Sequence, residues 1–571
     1  MQTTSIPFAL LACASAAGAQ TPVVLVRDMD VIPGVGNVTS IDNLAVNASG
    51  SWIVEADTDN PSSAVDGVLI KDGGILLRQG NALVAPAGAV LSSFDAVTLN
   101  AAGQSAWNLF LTVPAGGDSG IYFGSTLVIL EGDTSTSSSF SPGTVYTGFF
   151  ETKFNDARRT LIVASVDDPL IATTTDRAMV LADLDPLGAL LTETVLHKEG
   201  DLVAGIPIET ITDFGTGPHD FALNNSGAAL YSADLTGSTT NDGVILLDTT
   251  VIAREGDASP VAGRNYETLY ARHLDLGDSG DYVFIANLDG ATTDDDVIVK
   301  NNSVVIAREG SGLPAIGAFT ITSFGTGPVR IDAAGNVFWY GDWNDPDTTR
   351  DTGIFRNGEL LVQEGVTLTS GGEIVTAIAA VQDSFSISPD GRWLVFEGRV
   401  GAGTVDAAFL VDVGAQVTSF CFGDGSATAC PCGNFGATGN GCASSVAPGG
   451  ANLAASGVSS ISNDSLVLAG SSMPNSSALY FQGTAQQNGG LGTTFGDGLR
   501  CAGGSIIRLA TKFNVGGASQ FPVGGDPTVS VRGLVASPGK RTYQVWYRNA
   551  AAFCTPGTFN LTNGLEVTWS S

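Results

Sequence analysis

The sequence has little charge, little histidine and, over most of its length, no cysteine. Charged residues make up 14% of it, and 25 Lys or Arg face 57 Asp or Glu, for a net charge of −32. A body so acidic argues against nucleic acid and anionic membrane as partners, and it attracts cations or basic polymers. The three histidines, His197, His219 and His273, fall in different parts of the chain. That predicts no histidine-built metal site, and it casts His219-Asp220 as a satisfied surface pair. No apolar run approaches the ~20 residues of a transmembrane helix. Phosphate loops, dinucleotide fingerprints and nucleophile elbows are missing too. A disordered chain would also be poor in apolar residues, yet 43% of this one is hydrophobic and 73 residues are Gly, as in a β-rich extracellular protein.

Residues 1–19 read as a signal peptide, with an A-x-A site at Ala17-Gly18-Ala19, although no Lys or Arg precedes the apolar stretch. Leu10-Leu-Ala-Cys13 leaves open a lipid-carrying Cys13. The other six cysteines, Cys421, Cys430, Cys432, Cys442, Cys501 and Cys554, all follow position 420. An even count in an exported chain implies up to three disulfides in any of fifteen connectivities. Zinc competes for the first four, but they lack a C-x-x-C knuckle and a neighbouring His. Charge divides at the same place: five acidic and seven basic residues lie from Phe420 onward, so the first 419 carry nearly all the excess.

A repeat organises those 419 residues. Short apolar strands meet a turn at Asn47-Ala-Ser-Gly50, Asn100-Ala-Ala-Gly103, Asn155-Asp-Ala-Arg158, Asn224-Asn-Ser-Gly227, Gly277-Asp-Ser-Gly280, Asp332-Ala-Ala-Gly335 and Ser388-Pro-Asp-Gly391. The last residues of these turns are spaced 53, 55, 69, 53, 55 and 56 apart. Gly there supplies the positive φ of a tight hairpin. A second strand follows, often aromatic (Trp52, Trp107, Phe284, Trp339, Trp393), then an Asp, a third strand, and a fourth such as Val251-Ile-Ala-Arg-Glu-Gly256-Asp. About ten extra residues at Asp183–Thr194 extend a hairpin in the third copy. Phe214-Gly-Thr-Gly-Pro218 and Phe324-Gly-Thr-Gly-Pro328 read as turns entering copies four and six.

Four strands per ~55 residues, seven times over, predict an all-β seven-bladed propeller. A solenoid is the rival. The seventh copy lacks its fourth strand, and Val23-Val-Leu-Val-Arg27-Asp-Met-Asp30 matches that strand without three before it. An amino-terminal strand that completes the last blade closes the ring and removes both free edges. After it, six segments from Ser465–Leu468 to Leu565–Trp569, including Thr528–Val531, read as strands of a disulfide-stapled β-sandwich. In it Gln544, Trp546 and Arg548 face away from Tyr543, Val545 and Tyr547. The domains are thus residues 1–19, 20–415 and 416–571.

The phased Asn-x-x-Gly-x-x-aromatic copies over Thr21–Gly414 resemble the tandem NxxGxxAF repeats of exported bacterial "choice-of-anchor" proteins. Only copies one, two and four keep Asn and Gly together. Ser388-Pro-Asp-Gly391-Arg-Trp393 resembles the strand turn of TolB-like propellers. Cys421-Phe-Gly-Asp-Gly with Cys430-Pro-Cys432-Gly-Asn resembles a recurrent carboxy-terminal module of secreted bacterial proteins. The resemblance implies secretion or display on the bacterial surface, and no activity.

Candidate sites are few. Asp66, Asp118, Asp176, Asp242, Asp295, Asp351 and Asp406 fall 15–18 residues past the turns. They read as a ring that would hold Ca²⁺ through hard oxygen ligands, or as Asx-turns before the third strands. No motif requires a cofactor. Gly117-Asp-Ser-Gly120 and Gly277-Asp-Ser-Gly280 mimic a protease nucleophile, but no His precedes the first, so both read as turns. No carboxylate pair stands out against the repeat. The expected function is an exported binding or surface-structural module with a polysaccharide or cell-envelope partner, its last domain serving retention or adhesion. The alternative is a polysaccharide hydrolase or lyase. An enzyme would hold one non-repeated cluster of perturbed carboxylates or histidines in the propeller mouth; a binder would show aromatics or an acidic rim.

Overall fold

The computed structural model describes residues 21–571 except 96, 114–115, 169–175, 402–404, 414–415, 457–458, 460, 462–463, 465, 538, 552 and 570–571. The signal peptide and Cys13 lie outside the described residues. The chain is all-β and forms two compact units. One comprises Met1–Asn47, Ser51–Ile387 and Leu394–Asp412, the other Ala48–Gly50, Ser388–Trp393 and Val413–Ser571.

Among the described residues the first unit holds seven antiparallel sheets in chain order. The second sheet is the plainest, with Val90–Asp95, Ala106–Thr112, Ser119–Phe123 and Thr126–Leu130 side by side. The seventh is built from Val375–Ile378 and Phe385–Ile387, Trp393–Val400, Val405–Asp412 and, from the start of the chain, Val23–Arg27. Val23 lies opposite Leu410 and Arg27 opposite Ala407, antiparallel. The strand that lacked three predecessors therefore completes the copy that lacked a fourth.

Second and third strands are buried on both faces, as in Arg159–Asp167 and Arg177–Leu184, because each sheet is covered by its neighbours. Trp107 and Tyr122 of the second sheet share a core with Ile53 and Leu69 of the first, and Leu161 and Met179 of the third share one with Tyr231 and Leu246 of the fourth. Gly36–Val46 of the first sheet contacts Phe385–Ile387 and Val405–Asp412 of the seventh.

The turns behave as their residues demand. Gly103, Gly227 and Gly335 take φ of 73°, 87° and 80°, and the degenerate Arg158 takes 62°. Asn100, Asn155 and Asn224 accept through Oδ1 the N–H four residues on. Nδ2 of Asn47, Asn155 and Asn224 donates to the carbonyl at the same turn position of the next copy, Asn100, Asn224 and Gly277 respectively. The Asn thus shapes its own turn and ties it to the next.

A second tie runs through Arg254-Glu-Gly-Asp257 and the variants of it that end the other fourth strands. Gly132, Gly200, Gly256 and Gly310 donate N–H to carbonyls in the first strand of the following sheet, and Met29 at φ 69° does so from the amino-terminal strand. The Glu before the Gly reaches across: Glu131 accepts the Asp118 N–H, Glu199 that of Asp176, and Glu255 that of Gly243. Glu255 is buried, and its other oxygen accepts the N–H of Leu269, just past a strand of the fifth sheet, at 2.8 Å.

Three sequence expectations change. Phe214–Pro218 and Phe324–Pro328 do not precede the first strands. They interrupt them: Ile206–Phe214 and Phe221–Leu223 both pair with Ala229–Leu235, and Ile321–Ser323 and Val329–Ile331 both pair with Val337–Trp343. Asp406 is not the equivalent of the other six aspartates. Its carbonyl accepts the Asp28 N–H as that of Ser119 accepts Glu131, one register step on, and its side chain pairs with Arg399 at 2.8 Å. Thr528–Val531 is no strand. Val529–Arg532 forms one helical turn after Pro527, with Asp464 accepting the Ser530 N–H and Val529 buried in the core.

In the second unit Gln416–Phe420, Gly564–Trp569, Gly539–Arg548, Ser477–Gly483 and Ile507–Phe513 run side by side in one sheet. Its Tyr480, Tyr543, Val545 and Trp569 share a core with Leu453, Leu468 and Phe521 of a three-stranded sheet. Trp546 packs on Phe559 on the opposite side from Tyr543 and Val545, as alternation requires. The six cysteines pair as Cys421–Cys501, Cys430–Cys442 and Cys432–Cys554.

Two measurements test these ties. Glu255→Ala strands the Gly243, Leu269 and Tyr270 N–H groups and should lower the unfolding free energy by about 2–4 kcal/mol in chemical denaturation. Glu255→Gln should cost less, since Gln79 already accepts the Gly67 N–H at that position of the first sheet. Replacing Cys432 and Cys554 together by Ser opens a link spanning 122 residues, so by the loop-entropy account it should cost about 4–5 kcal/mol. The Cys430–Cys442 pair spans 12 and should cost about 3 kcal/mol, read from melting of the non-reduced chain.

Candidate active site

The seven predicted aspartates do not assemble. Asp66, Asp118, Asp176, Asp242, Asp295 and Asp351 each stand at the start of a third strand. Their carbonyls accept from the end of the second, Asp118 from the Leu111 N–H and Asp242 from the Leu235 N–H among them. Among the described residues no three His, Cys, Asp or Glu gather in a way suited to a metal ion. Gly277–Gly280 is the fifth turn, and Ser119 is buried where the second sheet's third strand begins, so the protease-like segments are structural.

A different set of residues comes together. The first strands, or the loops that interrupt them, carry Asp42, Asp95, Glu151 with Lys153, His219, His273 with Asp275, Arg330 and Asp383, one group per sheet. The fields of Asp383 and Asp95 act on Asp42, those of Asp95 and Lys153 on Glu151, and those of Arg330, Asp383 and Asp275 on Lys153. The series therefore runs from the first sheet through the seventh and back. These residues do not repeat from copy to copy.

His219 sits at its centre, 1% exposed. Its Nε2 accepts the Asp383 N–H at 3.0 Å and lies 2.9 Å from Asp383 Oδ1, so Nε2 presents its lone pair and a proton shared with it belongs to the carboxyl. With Nε2 accepting, the ring proton of the neutral imidazole sits on Nδ1, a buried donor without a partner among the described residues. The His219 and His273 rings meet edge to face at 5.2 Å, and His273 Nδ1 donates to the Gly327 carbonyl at 2.7 Å. Two expectations thus fail: two of the three histidines do cluster, and His219 is neither a surface residue nor paired with Asp220. The Asp220 carboxylate instead accepts the Gly217 N–H inside the interrupting loop.

Burial governs the protonation of the cluster. It holds His219 well below the usual imidazole range, helped by Arg330 and Lys153, and lowers His273. It raises Asp275 and Asp383 against the pull of nearby cations. Glu151 is pushed up to about 9 by burial, with Lys153 opposing, and its Oε2 has no partner among the described residues. Lys153 is itself lowered by burial; its Nζ donates to the Pro218 carbonyl and stands 5.4 Å over the Phe221 ring. On the adjoining second strands burial lifts Glu55 to about 8 and Glu397 to about 7. Carboxyl groups that keep their proton near neutrality beside a neutral imidazole can donate and accept protons in one step.

A weak sequence signal existed. The central residues stand five to eight positions before the last residue of their turn, as Asp42 stands before Gly50 and Arg330 before Gly335. Titratable side chains at a position where a repeat wants apolar ones mark the site.

The model of a family of unknown function, DUF7453, matches residues 12–190 and again 188–382. The chain belongs to that family. No curated protein matches this DUF7453 chain in sequence. Similar solved structures include a protein of unknown function from Dyadobacter fermentans, at 9% identity and TM-score 0.28 over 70% of this chain and 100% of that one. An exo-β-1,3-galactanase from Phanerochaete chrysosporium follows at 12% and 0.24 over 86% and 99%, and the polysaccharide lyase Uly1 at 9% and 0.29 over 69% and 98%. At these scores the likenesses bear on neither fold nor activity.

The raised carboxyls set a pH dependence. Asp and Glu titrate near 4 in the unfolded chain, and Glu55 and Glu397 release their protons only near 8 and 7 when folded. The stability they lend is complete below about pH 4 and is lost as pH rises through their folded values. The melting temperature of the first unit should therefore fall between about pH 5 and 8, and Glu55→Gln with Glu397→Gln should flatten that fall in a calorimetric series.

Proposed function

We propose that the first unit is a closed seven-bladed propeller of an exported protein, and that it is an acid–base enzyme of the polysaccharide hydrolase or lyase class. The single observation that supports this is the non-repeated titratable cluster drawn from all seven first strands or the loops that interrupt them. A purely structural array would repeat as the turns do. Glu151, protonated at neutral pH with an oxygen that has no partner among the described residues, is suited to give a proton to a glycosidic oxygen. The Asp383–His219 pair is suited to take one, from water in hydrolysis or from carbon in elimination: the second Asp383 oxygen accepts it as Oδ1 passes its proton to His219 Nε2. The second unit, a disulfide-stapled sandwich in this reading, serves retention or adhesion outside the cell. Three disulfides and the absence of a membrane-crossing helix among the described residues fit that location.

The test is turnover of a panel of neutral and acidic polysaccharides, with calcium and with chelator. It is followed by new reducing ends and by the ultraviolet absorbance of a new double bond. Glu151→Gln and His219→Asn should each lower kcat on the active substrate by roughly 100-fold or more. A panel that binds at the centre but shows no turnover above the Glu151→Gln background would return the protein to the binding-module reading.

A further inference from the structure

Two cations of the central cluster have no paired carboxylate among the described residues. Arg159, Arg177, Lys198, Arg254, Arg264 and Arg308, among others, hold a carboxylate within 4 Å. Neither Lys153 nor Arg330 does so among the described residues, although the chain has 57 acids to offer and several belong to the same cluster. Asp275 and Asp383 act on Arg330 through space only. The Asp275 carboxylate is turned to the Ile331 N–H at 2.8 Å, and Asp383 to His219. The side-chain contacts of Arg330 and Lys153 are neutral: His219 Nε2 at 3.5 Å from the guanidinium, and the Pro218 carbonyl and Phe221 ring around the ammonium. A buried charge without a counter-ion is costly, and a protein with so many carboxylates could have supplied one. Buried atoms without a partner among the described residues, His219 Nδ1 and Glu151 Oε2, lie in the same cluster.

We infer that Arg330 and Lys153 form the anion subsite of this centre and hold the carboxylate of an acidic sugar, a uronate unit of the chain being cut. This rests on the function proposed above and names its substrate class. The guanidinium offers a two-pronged donor matched to a carboxylate, and the ammonium adds a point charge on the other side. The glycosidic bond next to that unit then falls within the cluster that holds Glu151 and His219.

The experiment uses the full chain carrying Glu151→Gln, so that bound sugar persists, and titrates it calorimetrically with oligogalacturonate, a sulfated galactan oligomer and a neutral galactan oligomer of equal length. Oligogalacturonate should bind at least tenfold tighter than the neutral oligomer, and its affinity should fall as salt is raised. Arg330→Met or Lys153→Met should each remove roughly tenfold to 100-fold, and Arg330→Lys less, with unchanged melting temperature as the check on folding. Equal affinity for neutral and acidic oligomers, or tighter binding of the sulfated one, overturns the inference. Arg330-dependent uronate binding without turnover by the unmutated chain keeps the inference and discards catalysis. Turnover of neutral chains alone does the reverse.

Discussion

Strand pairing in the first unit proceeds locally, hairpin after hairpin, until Val23–Arg27 meets Val405–Asp412. That antiparallel contact is the one on which the rest depends. Without it the seventh sheet has an open outer strand, and nothing but face packing holds the first sheet against it. An open edge invites pairing with another chain, and pairing it internally removes the hazard. The same closure brings Asp383 of the seventh sheet within the field of Asp42 of the first, so the strand far out at the sheet edge fixes electrostatics at the centre.

Charge is distributed in two regimes. Around the outer turns, carboxylates are spent on backbone N–H groups and on arginines, as Glu255 and the Arg264–Asp294–Arg308 group illustrate. These contacts satisfy donors that hairpin ends would otherwise leave bare. At the centre the acids face one another, and burial keeps protons on them. The formal net charge of −32 counts Glu55 and Glu151 as ionised, and burial keeps both largely uncharged near neutrality, so the chain is somewhat less negative than that count.

The repeat, its phase and the strand that crosses from the start to the end were legible because tight turns tolerate few residues. Asn, Asp and Gly recur where the backbone demands a side-chain acceptor or a positive φ. The site was not legible for the opposite reason. His219 and Asp383 are 164 residues apart, and only the packing of successive first strands brings them to 2.9 Å. The loops that break those strands look like ordinary turns in sequence, since Gly-Thr-Gly-Pro fits a blade entry as well as an interruption. Asp406 looked like the seventh member of a series because counting from the turn ignores a one-residue slip that only the ladder reveals. Thr528–Val531 carries β-branched residues, and its helical turn depends on Asp464, 66 residues away in sequence, taking the Ser530 N–H.

The late partner of Val23–Arg27 has a consequence for how the chain is made. Six sheets can complete themselves in order as their residues emerge, each from segments already present. The seventh needs a strand from the beginning of the chain, which must wait unpaired while nearly four hundred residues are synthesised. Low contact order therefore describes most of the molecule, with a single long closure as the last step, and assembly is slowest where the sequence began. The central cluster, which draws on all seven sheets, is therefore the last part of the first unit to be complete.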